Sequence, residues 1–288
     1  MKMSFKRICV KKNSSYVIYQ TEGVMQKNDI SVNLHYDPDF AVLYMKRGEG
    51  ILRVEGNSYC VTDGDIVITT PQEIHRYEIE NGVYQSRIIL YVNQSLESKF
   101  DLDPDVLFCC FNGRARGVGN VIPSSVAKHY KLDILLDDML ALAKQNTKRS
   151  ELLCTCRVLE ILSTLCEAYD KKTEQLTNMR SQSKTVIGII EYINENLSGD
   201  ISIEKIAKEF FLSKSRIEHL FKECTGLSMW DYIILHRLIL CNEYIKNGAT
   251  VKEASYQSGF CNYSNFYRLY KKHMGMTPSE YKEKCKEV

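Results

Sequence analysis

The feature that most constrains this chain is a pattern that occurs twice near its C-terminal end. Residues 202–226 read SIEKIAKEFFLSKSRIEHLFKECTG, and residues 250–275 read TVKEASYQSGFCNYSNFYRLYKKHMG. Each copy opens on a Ser or Thr suited to cap a helix, runs a short amphipathic helix and turns within three or four residues. A second helix follows and stops at Gly. That is a helix-turn-helix, present in tandem. Helical spacing assigns Ile203, Ile206, Ala207, Leu212, Ile217, Leu220 and Phe221 to one core, and Val251, Ala254, Phe260, Phe266, Leu269 and Tyr270 to the other.

The residues left outward on the second helix of each copy are polar. They are Lys214, Ser215, Arg216, Glu218, His219 and Lys222 in the first, and Asn262, Tyr263, Ser264, Asn265, Tyr267, Arg268, Lys271 and Lys272 in the second. Such groups hydrogen-bond base edges in a major groove or bind phosphates. One polar helix face is usually just solvated, but two in tandem are hard to obtain by chance. A helix over 231–246 joins them, roughly 24 Å long at 1.5 Å per residue. With the width of the motifs added, it would set two recognition helices about one DNA turn apart, roughly 34 Å.

Net charge argues the other way at first sight. Against 38 Lys and Arg stand 36 Asp and Glu, a formal charge of +2. The whole excess lies in residues 184–288, which hold 15 basic and 13 acidic groups. Basic side chains fall on the recognition helices, whereas Glu191, Glu195, Glu204 and Glu209 fall on supporting ones. Contact depends on where charge is placed, not on its sum.

With 288 residues, about two domains are expected. Short alternating or β-branched runs at 16–19, 30–36, 41–46, 50–55, 57–61, 65–69, 75–79 and 86–92, separated by Gly-containing turns, predict strands of a sandwich or barrel. From Pro123 the spacing turns helical. A first helix starts at Ser124, and a second near Ser150 has an apolar surface (Leu152, Leu153, Cys156, Leu159, Leu162, Leu165, Cys166, Tyr169) broader than one stripe. That breadth fits packing within the domain and a subunit interface alike. Residues 171–183 are polar and aperiodic, as in a linker. Helices are expected after it at 185–196, 202–210, 213–222, 228–246, 250–257, 262–273 and 278–284.

Residues 185–284 resemble the DNA-binding domain of the AraC/XylS family of transcription regulators, and GFCNYSNFYRLYKKHMGMTPSEYKEK (259–284) is similar to the family signature nearly throughout. Ala254-Ser255 stands where the family usually has Ile-Ala, and Cys241 where it often has Ala. Neither touches a contact position. The resemblance implies base contacts from Ser215, Glu218, His219, Tyr263, Ser264 and Tyr267, and phosphate contacts from Lys214, Lys222, Arg268, Lys271 and Lys272. Arg216 and Arg268 are the side chains best able to grip guanine or phosphate.

Residues 46–77 resemble the cupin-like sensor domain of the same family through a GxG turn, a Gly-Asp-Ile run and a Pro-x-x-x-His segment. Alternation and resemblance together nominate His35, Tyr44, His75, Tyr77 and Arg87 as barrel-lining groups for a small organic ligand. Catalytic cupins use His-x-His, a Glu and a later His. Here His35 is followed by Asp37, no Glu lies close behind, and only His75 remains of the second motif, so neither metal nor other cofactor is expected. No GxSxG, Walker loop, HExxH or GxGxxG after a strand is present, and no enzyme is expected.

The N-terminus lacks the apolar core of a signal peptide, and no apolar run approaches the roughly 20 residues that span a bilayer. Eleven irregularly spaced cysteines without a CxxC pair are expected as reduced thiols in a cytoplasm, most of them buried as small apolar residues. The expected protein is α+β with two domains. Residues 1–170 form a cupin-like β-barrel with C-terminal helices for ligand sensing and dimerisation, 171–183 a linker, and 184–288 an all-α double helix-turn-helix domain. Expected partners are double-stranded promoter DNA, a small effector such as a sugar, RNA polymerase through the family's activator role, and a second copy through helices at 124–170. A metal-dependent cupin enzyme with an accessory helical domain, and a regulator whose barrel only dimerises, remain alternatives.

Overall fold

The computed structural model describes residues 6–24, 35–71, 73–79, 82–145, 147–170 and 184–286. The chain divides into two compact units, Met1–Arg180 and Ser181–Val288. The expected linker at 171–183 and positions 30–34 of one expected strand lie outside the described residues. The fold is α+β, with a sheet-rich first unit and an all-helical second one.

The first unit holds strands β1 (Lys6–Lys12), β2 (Tyr16–Val24), β3 (Phe40–Arg47), β4 (Gly50–Val54), β5 (Asn57–Val61), β6 (Ile66–Thr69), β7 (His75–Glu78), β8 (Tyr84–Val92) and β9 (Val121–Ile122). They pair antiparallel in two sheets, one in the order β1-β2-β8-β3-β6-β9 and one in the order β5-β4-β7. Strand β1 is not legible as a strand because Lys6, Arg7, Lys11 and Lys12 mask its alternation, as charges on an edge strand do. Four short helices, α1 (Leu96–Phe100), α2 (Pro104–Leu107), α3 (Cys109–Asn112) and α4 (Ser124–His129), lead to the longer α5 (Leu132–Ala143) and α6 (Lys148–Asp170).

Parity along the strands builds two cores. On one face of the larger sheet Ile18, Phe40, Val42, Tyr44, Ile66, Ile68, Ile88 and Leu90 pack against Leu136 and Met139 of α5 and Val158, Ile161 and Leu165 of α6. Each such Ile or Leu contributes about 1.5–3 kcal/mol relative to exposure. On the other face, Met45 and Val67 meet Leu52, Val54, Val61 and Tyr77 of the smaller sheet, so the two sheets close on each other as a barrel.

The breadth of α6 resolves by position. Leu162, Leu165 and Cys166 are buried and Leu159 and Tyr169 half-buried, while Leu152, Leu153 and Cys156 are exposed, as is Ile134 of α5. The expectation that most cysteines are buried is corrected. Cys110, Cys154, Cys166 and Cys241 are buried, but Cys9, Cys60, Cys156 and Cys261 are exposed, on an edge strand, an outer strand, the outer side of α6 and a helix-turn-helix turn.

The second unit contains α7 (Lys184–Glu195), α8 (Ile203–Glu209), α9 (Lys214–Thr225), α10 (Met229–Lys246), α11 (Val251–Gln257), α12 (Tyr263–Met274) and α13 (Pro278–Lys286). Ser202, Ser213, Ser228, Thr250 and Asn262 cap their helices by accepting from the backbone N–H three residues on. Met229, Tyr232 and Ile233 of α10 enter the core of the first helix-turn-helix, and Ile234, Leu238, Cys241 and Ile245 enter that of the second. One helix of 18 residues, about 27 Å, therefore splints both motifs. Among the described residues no helix is long and apolar enough to cross a membrane.

Candidate functional site

The two helix-turn-helix copies solve one turn geometry with different residues. In the first, Leu212 N donates to Ala207 O (3.0 Å) and Phe211 is left-handed at φ 54°. In the second, Phe260 N donates to Ser255 O (3.1 Å) and the left-handed residue is Gly259 at φ 92°. Glycine is required there, because an added Cβ would lie 2.8 Å from both Leu197 O and Arg237 Nε. Buried Arg237 of α10 donates to Leu197 O (2.9 Å) and Gly199 O (2.8 Å), tying the loop after α7 to the splint between the motifs.

Helices α9 and α12 are the second helices of the motifs, and both present the expected polar face. Lys214, Ser215, Arg216, Glu218, His219 and Lys222 are exposed on α9, as are Ser264, Tyr267, Arg268, Lys271 and Lys272 on α12. Four of the expected contact residues make other contacts as well. Lys214 pairs with Glu204 of α8, and this hydrogen bond holds the Glu204 carboxyl below its usual range. Asn262 spends its side-chain oxygen on the cap of α12, accepting from Asn265 N at 2.9 Å. Tyr263 is corrected from an outward residue to a half-buried one, its ring 5.7 Å from that of Phe266 in the second core. Arg268 donates to Asn265 Oδ1 (3.0 Å), which lays the guanidinium along the helix surface.

In the first unit a cavity opens between the sheets, lined by Arg7, His35, Asp37, Ala41, Leu43, Leu52, Val67, Thr69, His75, Tyr77, Arg87, Ile89 and Tyr91. Four of the five nominated ligand residues meet there: His35, His75, Tyr77 and Arg87. Tyr44 does not. Its neighbours Leu43 and Ala41 line the cavity, so strand parity turns Tyr44 to the helix-packed face, where burial raises its hydroxyl pKa.

Arg87 is buried, donates to Gln85 Oε1, and holds its guanidinium 4.7 Å from the centre of the Tyr77 ring. The Tyr77 hydroxyl has no hydrogen-bond partner among the described residues, and burial pushes its pKa up, so it enters the cavity as a protonated donor. Tyr91 is likewise pushed up by burial and accepts from Arg7 Nη2 at 3.2 Å. Sequence reasoning missed Arg7, because β1 went unread. It also missed Ile89 and Tyr91, although they share the parity of Arg87 on β8 and were open to the same argument.

Residues 25–162 match the family model of the AraC-like ligand binding domain, and residues 206–284 match that of a helix-turn-helix domain. The arabinose operon regulatory protein of Escherichia coli K12 is 24% identical over 248 residues, which cover 84% of this chain and 79% of that protein. The transcriptional activator RhaS of E. coli is 18% identical over 260 residues, 86% of this chain and 87% of RhaS. The E. coli regulator YijO is 26% identical over 129 residues, so this chain spans only 45% of that relative. Among solved structures, ToxT of Vibrio cholerae is similar with a TM-score of 0.40 and 14% identity, over 96% of this chain and 100% of ToxT. With the two models together matching well over half of its residues, the chain belongs to the AraC/XylS family of transcription regulators.

Proposed function

We propose that residues 184–288 read promoter DNA through α9 and α12, and that residues 1–170 sense a small polar metabolite in the barrel cavity and dimerise through helices at 124–170. The observation that carries the DNA reading is the pair of capped recognition helices, each with its polar side chains exposed over an apolar core. Base contacts are assigned to Ser215, Arg216, Glu218, His219, Ser264 and Tyr267, and phosphate contacts to Lys214, Lys222, Arg268, Lys271 and Lys272. Exposed Ile134, Leu152 and Leu153 support a helical dimer face.

The protein acts in the cytoplasm as an activator that contacts RNA polymerase, and it carries out no catalysis. Its effector is a sugar or another carbohydrate-pathway metabolite. Two guanidinium groups in the lining favour acidic members of that class. The compact cavity, about 60 Å³, favours small members of that class.

Mobility shifts on the chain's own upstream DNA test the interface. Arg268→Ala and Lys222→Ala should each weaken binding several-fold and lower the salt slope by about one. Unchanged shifts for both at matched salt would remove the assigned contacts. Thermal shifts against a panel of sugars and small acids test the sensor. A response that Tyr77→Phe reduces and Tyr44→Phe leaves intact is expected, while a flat panel would leave the barrel as a dimerisation module alone.

A further inference from the structure

His35, Asp37 and His75 are brought to one point by backbone geometry. His35 and Asp37 are two residues apart, so an extended backbone directs both side chains to one face. His35 and His75 form an antiparallel bridge, with His35 N donating to His75 O (2.9 Å) and His75 N to His35 O (2.8 Å). Paired residues in such a bridge set their side chains next to each other, and the two imidazole rings lie 4.4 Å apart, centre to centre. One donor atom from each of the three residues lies within 4.8 Å of the others, and His75 Nε2 is 3.5 Å from Asp37 Oδ2.

The surroundings orient these groups. His75 Nδ1 lies 2.8 Å from the Glu73 carbonyl, which can only accept, so Nδ1 carries the proton and Nε2 turns to Asp37. Glu73 is itself fixed. Its fully buried carboxylate accepts from Arg114 Nη1 (2.7 Å) and Nη2 (2.6 Å), Gly117 N (2.7 Å) and Thr70 N (2.8 Å). Tyr91, in the same cavity lining, feels the Asp37 carboxylate, whose charge adds to burial in raising the Tyr91 pKa. A single carboxylate needs one cationic partner, yet two imidazoles converge on it. Two imidazoles and a carboxylate, with an outer partner on His75, are the donor set of a transition-metal site that keeps coordination positions open.

We propose that His35, Asp37 and His75 bind a divalent transition cation, such as zinc or iron(II), in the sensor cavity. Metal bonds of about 2.0–2.2 Å at tetrahedral angles place donors about 3.3 Å apart. The His75 and Asp37 atoms already stand near that separation, and a side-chain movement of up to about 1.5 Å brings in His35. Three protein ligands leave room for water or an anionic effector atom. These residues are not the His-x-His and Glu of the cupin pattern, which is why that pattern predicted no metal.

The inference rests on reading this cavity as the sensor site. Its test is titration of EDTA-stripped full-length protein with Zn²⁺ by calorimetry, and with Co²⁺ by visible absorption. One equivalent per chain is expected, with a Co²⁺ spectrum free of thiolate charge transfer. Asp37→Asn, His35→Gln and His75→Gln should each weaken binding at least about 100-fold. Tyr91→Phe, which keeps all three ligands, should weaken it about 10-fold with an unchanged metal-free melting temperature. No binding to wild type, binding that survives the triple substitution, or a thiolate spectrum would each overturn the site. Mobility shifts of the stripped protein on upstream DNA separate the two readings: intact shifts with no metal binding sink the metal site and spare the regulator.

Discussion

The turn shared by the two motifs predicts opposite effects of substitution at one structural position. Phe211 sits at φ 54° with its side chain 94% exposed. It carries left-handed strain of roughly 1–2 kcal/mol and returns almost no burial. Phe211→Gly removes that strain but adds unfolded-state entropy of roughly 0.5–1 kcal/mol, for a net gain of up to about 1.5 kcal/mol. Gly259→Ala meets the same strain, and its Cβ lies 2.8 Å from the backbone oxygen of Leu197 and from Arg237 Nε. Arg237 must shift, weakening two charged hydrogen bonds of about 1.5–3 kcal/mol each, so a loss of about 3–4 kcal/mol is expected. Trp230, the single tryptophan, lies at the start of α10 and reports on the second unit. Urea denaturation followed by its fluorescence measures both variants. A Gly259→Ala protein within about 1 kcal/mol of wild type, or a Phe211→Gly protein destabilised by more than that, would refute the argument.

Three further outcomes follow from charges. Glu73→Gln leaves buried Arg114 without its counter-charge and should destabilise the first unit by about 3–5 kcal/mol, read from the far-ultraviolet denaturation curve. Burial holds the His273 imidazole below its ordinary pKa, so the fold favours the neutral ring. The associated stability is fully present above the unfolded value near 6.5 and is lost as pH falls below it. Stability measured at about pH 7.5 and about pH 5.5, either side of that value, should therefore differ less in His273→Asn than in wild type. Glu204→Gln releases Lys214 from its ion pair, and should tighten binding to upstream DNA and steepen its salt dependence by about one.

The helical half was legible almost to the residue, because each of its signals is local. A cap such as Ser213 or Thr250, a stop such as Gly226 at φ 77° or Gly275 at φ 68°, and apolar spacing between them need no knowledge of distant chain. Side-chain duties were less legible. Nothing in spacing shows that Lys214 reaches Glu204 across the turn, or that Tyr263 leans on Phe266.

The barrel exposes a different limit. Strand β3 is buried on both faces, so FAVLYMKR carries no hydrophobic alternation from which to choose the lumen side. Alternation and resemblance nominated Tyr44 for the cavity, but the register against β8 opposes it to Ile88, on the helix-packed side, while Leu43 opposes Ile89, on the cavity side. The parity that excludes Tyr44 is set by its partner strand, and Arg87 on that strand supplies the reference. Two residues beyond Ile89 the same parity reaches Tyr91, and with it Asp37. The metal donors follow the same rule, since His35 and Asp37 share a face by alternation, but only the bridge to His75 makes them a site. A residue's type nominates it, and its cross-strand partner decides which side it serves.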